Sequence, residues 1–253
     1  MEYLHICYTE FMKILKFDSA ELASKCLAEE IYQAIKENPS LTMGVATGRT
    51  MDSVYHNLHL LHQKEKLDCS KVKAFALDEY IGLEKDSENS YEYYLNFHLF
   101  KPMGFREQNT FVPNTDGENF EASAKEYEDL IKENGGIDFL IMGIGVNGHI
   151  GLNEPGSAHD SRTRVVALSS QTIRSNKSLF DNKEKIPNTA MTMGIGTMLE
   201  AKRTFLIATG ETKSNIIKEL IDKDINSQIP ATFLKEHRDF SLILDKDSAK
   251  KIN

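Results

Sequence analysis

Short apolar runs alternate with helix-length amphipathic stretches along nearly the whole chain, and few folds accept that order. Residues 11–17, 41–46, 72–77, 137–143, 163–168, 204–208 and 240–244 read as strands. Asp18 and Ser19 can cap a helix whose apolar stripe runs through Leu22, Cys26, Leu27, Ile31 and Ile35. Further helices are expected after Thr47-Gly-Arg-Thr50 through about His62, over 90–100 and 119–132, and near 212–222. Strands separated by helices of this length predict an α/β fold: a three-layer, Rossmann-like arrangement with a mostly parallel sheet flanked by helices on both faces. No low-complexity linker, repeat or change of composition interrupts the pattern, so a single domain over residues 1–253 is expected. In such sheets ligands bind beyond the carboxyl ends of the strands.

The stretch Ile141-Met-Gly-Ile-Gly-Val-Asn-Gly-His-Ile-Gly-Leu-Asn-Glu-Pro-Gly156 is the sharpest such strand end. An apolar run stops at glycines, and Asn147, His149 and Glu154 follow closely. A neutral imidazole is well suited to moving a proton near pH 7, and a carboxylate can fix its tautomer. The same residues also fit a glycine-rich turn with a hydrogen-bonded structural histidine. Asp78-Glu79-Tyr80 closes another apolar strand, where two adjacent acids must be solvated, paired or used. Alternation sends them to opposite sides, so only one can face a given pocket. Thr47-Gly-Arg-Thr50 follows a strand and opens a helix, where free N–H groups attract a phosphate. Arg162, Arg164, Arg174 and Lys213 lie after the glycine loop and can complete an anion site. The plainer alternatives are a small polar turn, a solvated loop start capped by Asp78, and charges on wet helix faces.

Composition narrows the field. A formal net charge of -8 argues against nonspecific nucleic-acid binding and against anionic membranes, but leaves a small anionic ligand open. Cys7, Cys26 and Cys69 show neither metal spacing nor a disulfide framework, which points to a reducing, cytoplasmic setting. Glu2 and the lack of a long apolar core speak against a secretory signal, and no apolar run has the length of a membrane span. No serine or cysteine sits in an elbow motif, so nucleophilic hydrolysis has little support.

Together, Ala46-Thr-Gly-Arg-Thr-Met51, Leu77-Asp-Glu-Tyr-Ile-Gly-Leu83, Gly143-Ile-Gly-Val-Asn-Gly-His-Ile-Gly-Leu-Asn-Glu-Pro155 and Ser161-Arg-Thr163 resemble the glucosamine-6-phosphate deaminase family, in a wider group with the 6-phosphogluconolactonases. The resemblance covers nearly the whole chain. It implies an aldose–ketose isomerisation coupled to loss of ammonia, converting glucosamine 6-phosphate and water to fructose 6-phosphate. It assigns ring opening to His149, supported by Glu154 and Asn147, and enolisation at carbon 2 to Asp78. Phosphate falls to Thr47, Gly48, Thr50 and Lys213, and this chain's own Arg49 is a further candidate for it. No metal or organic cofactor is implied; the partner is a phosphorylated amino sugar, and monomer and homo-oligomer stay open.

The chain also departs from its family. Arg49 stands where many members have glycine, and keeps a galactosamine 6-phosphate substrate open. Ile173 stands where many carry arginine, with Arg174 one position away as the substitute. Asn147 stands where some have aspartate. Longer members carry a C-terminal extension used in activation, so no such allostery is expected in a chain ending at Asn253, although Arg164 resembles one residue of that site. The competing readings are a 6-phosphogluconolactonase, which has no use for Asp78 as a carbon base, and a non-catalytic sugar-phosphate sensor.

Overall fold

Residues 5–8, 12–84, 87–176, 180 and 186–252 are described by the computed structural model. In chain order the elements are β1 (His5–Tyr8), β2 (Lys13–Phe17), α1 (Ala20–Glu37), β3 (Thr42–Val45), α2 (Arg49–Glu65), β4 (Lys73–Ala76), β5 (Asp78–Tyr80), α3 (Tyr91–Leu95), α4 (Lys101–Met103), β6 (Thr110–Phe111) and α5 (Phe120–Glu133). There follow β7 (Phe139–Met142), β8 (Arg164–Ala167), α6 (Ser170–Asn176), β9 (Thr189–Thr192), α7 (Ile195–Leu199), β10 (Arg203–Ala208), α8 (Ser214–Asp222) and β11 (Phe240–Asp245).

Eight strands form the main sheet in the order β1-β2-β11-β10-β7-β3-β4-β6. All neighbours pair in parallel except β1, which closes one edge antiparallel to β2. Every residue of β3, β7 and β11 is buried, as expected of central parallel strands covered on both faces. Fully burying a side chain such as Leu140 or Ile141 stabilises the fold by about 1.5–3 kcal/mol. Ser19 caps α1 by accepting a hydrogen bond from the Leu22 amide. Cys26, Leu27, Ile31 and Ile35 are buried as the helical spacing predicts, whereas Leu22 lies in the first turn and is exposed.

The structure differs from the sequence reading in the second sheet. Residues 163–168 do not join the parallel sheet; β8 pairs antiparallel with β9, and β9 with β5, in a separate three-stranded sheet. Leu77 is the crossing point: its amide donates to Val45 in the main sheet, and its carbonyl accepts from Met193 beside the small one. Asp78-Glu-Tyr80 is therefore a buried strand and not a solvated loop start. The first expected strand narrows to Lys13–Phe17, and Phe11 lies outside the described residues. The expected helix over 90–100 is α3 followed by a π-helical turn (Asn96–Phe100) and α4, ending at Gly104 with φ +70°. Strands β6 and β9, the short helix α7 and a 3₁₀ stretch (Pro230–Glu236) have too few residues to impose a readable period.

Candidate active site

Three strand ends of the main sheet converge at its carboxyl edge. After β3, Thr47 and Gly48 lead into α2; Gly48 has φ +112°, and no side chain caps the helix. The helix start therefore presents its dipole to the cavity with no side-chain cap in the way. After β7, the chain turns through Gly145 and Gly148 to His149. A side chain at Gly145 would place its Cβ 2.2 Å from the His149 Cε1 atom, so only glycine lets the imidazole lie over this turn. After β10, Lys213 ends a 3₁₀ turn (Glu211–Lys213), and its Nζ donates to the Ile144 carbonyl at 2.6 Å. That bond ties the cation to the histidine loop.

The small sheet closes the opposite wall. Asp78, His149, Thr47, Gly48, Arg49, Thr50 and Lys213 all line one cavity of about 590 Å³. Gly151 is packed behind the acid: a Cβ there would lie 3.3 Å from Asp78 Oδ2 and 2.9 Å from Met198 Cε. Asp78 is 5% exposed, and burial pushes its carboxyl up to about 8, with the adjacent Glu79 charge adding to the shift. Glu79 points to the other face, as strand alternation requires. Its carboxylate accepts backbone hydrogen bonds from Tyr80, Tyr91 and Glu92, at 2.7, 3.0 and 2.7 Å, anchoring the first turn of α3. On that side lies a larger cavity, of about 820 Å³, bordered by Glu79, Glu84, Glu92, Glu107 and Asp116 with Lys101 as the one cation among the described residues. Such a carboxylate-rich wall repels a phosphate; the cavity holding Arg49 and Lys213 attracts one.

Behind His149 stands a hydrogen-bonded carboxylate. Glu154 Oε2 lies 3.8 Å from His149 Nδ1 and accepts from the Asn147 side-chain amide at 2.7 Å. The Asn147 carbonyl oxygen in turn accepts from the His149 amide at 3.3 Å. Burial by itself would raise the Glu154 carboxyl, but hydrogen bonds from Thr172, the Ser169 amide and Asn147, with the imidazole nearby, hold it below the usual range. Burial drives the His149 imidazole the other way, below its ordinary value; Lys213 reinforces the shift and Glu154 opposes it. The pair at neutral pH is a neutral imidazole beside an ionised carboxylate. Burial also lowers the Lys213 ammonium.

Of the sequence candidates, Asn147 and Glu154 sit behind the imidazole, and Arg174 does not join the site. Arg174 is exposed on α6 and does not line the cavity. Thr172, two residues earlier, is buried with its Oγ1 3.4 Å from His149 Nδ1. Arg162 pairs with Glu128 and Glu200, and Arg164 donates to Asn153 and Ser157, so both brace the small sheet instead of a ligand. Sequence reasoning missed Thr172 and Ser169, which hold Glu154 and His149, and Thr209 and Thr212, which line the cavity beside Lys213. The pattern Ser169-x-x-Thr172 was a readable signal of a helix start, since Ser169 Oγ accepts from the Thr172 amide.

An uncapped helix start, an imidazole–carboxylate pair and a buried acid meet at one edge of a parallel sheet, and comparison with known proteins gives the family. The chain belongs to the glucosamine-6-phosphate isomerase/6-phosphogluconolactonase family, whose model matches residues 17–243. It is 41% identical over 239 residues to a glucosamine-6-phosphate deaminase from Clostridium perfringens, covering 94% of this chain and 99% of that one. It is 39% identical to the deaminase from Thermoanaerobacter sp., covering 95% of both. A solved monomeric glucosamine-6-phosphate deaminase superposes with a TM-score of 0.92 at 37% identity, covering 95% of this chain and 100% of that one. The 6-phosphogluconolactonase of Trypanosoma brucei shares the fold, with a TM-score of 0.71 at 19% identity.

Proposed function

We propose that this protein is a glucosamine-6-phosphate deaminase, converting glucosamine 6-phosphate and water to fructose 6-phosphate and ammonia. The observation that carries the reading is that Asp78 and His149, far apart in sequence, border one cavity together with the loop at 47–50 and Lys213. The similarity to deaminases at 39–41% identity supports it further, whereas the lactonase likeness lies at 19%.

The phosphate seats on Thr47, Gly48, Arg49, Thr50 and Lys213, where helix-start amides and two cations offset its charge. Fixing the phosphate fixes the distant reacting carbons. His149 is held neutral by burial, so it can take the proton from the hydroxyl on carbon 1 and return it to the ring oxygen, opening the pyranose. With Nδ1 turned to Glu154 and Thr172, Nε2 is the nitrogen left to the sugar. Glu154 holds the ring's orientation and stabilises its transient charge. Asp78 then removes the proton from carbon 2 of the open chain and delivers it to carbon 1. A carboxyl pushed up to about 8 is a stronger base when ionised than an ordinary carboxylate, and holds the proton long enough to return it. The resulting ketimine takes up water and loses ammonia.

A coupled assay tests the proposal. Purified protein given glucosamine 6-phosphate should yield ammonia and fructose 6-phosphate in equal amounts; galactosamine 6-phosphate and 6-phosphogluconolactone are run beside it. No ammonia from either amino sugar would defeat the assignment.

A further inference from the structure

We propose that Tyr94 is a positioning residue for phosphate binding: its hydroxyl holds the Asp52 carboxylate away from the start of α2, leaving the positive end of that helix to the sugar phosphate. The inference rests on the assignment of residues 47–50 to the phosphate. Asp52 lies in the first turn of α2, where the helix dipole favours an acid. Gly48, the residue preceding the helix, offers no side-chain cap. An unrestrained carboxylate at Asp52 is therefore the natural competitor for the same field and donors that would hold the phosphate.

The structure turns that carboxylate aside. Tyr94 Oη lies 2.5 Å from Asp52 Oδ1 and 3.1 Å from the Gly48 carbonyl. A phenol has one proton, and the charged carboxylate is the stronger acceptor, so the proton goes to Asp52. Met51 and Ser53 line the cavity on either side of Asp52, and Asp52 does not. Tyr55 acts in the same sense one step earlier, donating to the Ala46 carbonyl at 2.5 Å. Two phenols thus engage the loop from behind. Tyr94 is carried by α3, whose first turn is anchored by Glu79, the neighbour of Asp78. The seat of the phosphate and the proposed carbon base are thereby tied to one short helix.

Tyr94→Phe should raise KM for glucosamine 6-phosphate about tenfold, leave kcat within about twofold, and raise the dissociation constant for inorganic phosphate by a similar factor. Adding Asp52→Asn to that variant should return both quantities close to wild type, because no charge remains to be held aside. A merely structural tyrosine gives no such rescue. Unchanged phosphate affinity in Tyr94→Phe, a loss confined to kcat, or no recovery in the double variant each overturns the proposal. Should Tyr94→Phe fail to fold in a thermal melt, Asp52→Asn alone decides: equal or tighter phosphate binding supports the proposal, and weaker binding overturns it. Wild-type protein that binds inorganic phosphate but deaminates nothing would sink the assigned reaction and leave the brace standing; wild-type protein that binds no phosphate overturns the brace.

Discussion

The two walls of the cavity hold their polar groups by opposite means. On the parallel-sheet wall, the groups sit on loops beyond the strand ends and gather hydrogen-bonding partners there. Glu154 is held ionised by three hydrogen-bonding neighbours, and Lys213 is tied to the Ile144 carbonyl. On the antiparallel wall, Asp78 is part of a strand, buried, with its carboxyl pushed up to about 8. Its neighbour Glu79 is equally buried yet serves three backbone amides. Loops that follow parallel strands can gather donors at little structural cost. A buried strand can hold a carboxylate in a destabilised state, because the flanking ladder leaves it nowhere to relax. In the proposed mechanism the phosphate and the imidazole belong to the first wall and the carbon base to the second.

Substitutions on the two walls should separate cleanly. Asp78→Asn should have the largest effect, lowering kcat by about 10²–10⁴-fold in the ammonia assay. It should also raise the melting temperature above neutral pH. The folded protein keeps a proton on Asp78 that the unfolded chain has already released, so the wild type loses stability as pH rises from the ordinary aspartate range toward about 8. Asparagine removes that loss; a destabilised Asp78→Asn protein would indicate a structural acid instead. His149→Gln should come next, in the lower half of the same range of about 10²–10⁴, because sugar rings also open spontaneously. Its defect should shrink when the substrate is supplied already open.

A smaller and graded effect should appear in the pH profile. For the free wild-type enzyme, kcat/KM should climb as pH rises through about 8, as the Asp78 proton leaves, well above the range of an ordinary carboxylate. A profile with no limb near pH 8 would remove Asp78 from the base role. Glu79→Ala should weaken turnover least and the fold most, costing about 1–3 kcal/mol for each buried amide left without its acceptor, read from denaturant unfolding. Equal loss of turnover in Glu79→Ala and Asp78→Asn would erase the distinction between the two acids.

The parallel wall was largely legible because its signals are local. A strand end, a glycine and a polar side chain lie within a few residues, as in Thr47-Gly48 and Gly145 to His149. The antiparallel wall was not, because β5, β8 and β9 pair across long stretches of chain and are only three or four residues long. Opposite faces for Asp78 and Glu79 did follow from strand alternation, but not the burial of both. Arg174 failed for a helical reason. At about 100° per residue, it points roughly 200° away from Thr172, whose side chain reaches His149. The contacts that hold Glu154 come from Ser169 and Thr172, and depend on where α6 docks. No local pattern reports that.

Everything turns on one sugar meeting both walls at once. The most direct measurement is a crystal structure with the reduced, open-chain analogue of glucosamine 6-phosphate, which binds but cannot react. The phosphate is expected on residues 47–50 and Lys213, with carbon 2 against Asp78 and the carbon 1 oxygen against His149. An analogue seated with its phosphate elsewhere, or with Asp78 out of reach of carbon 2, contradicts the mechanism.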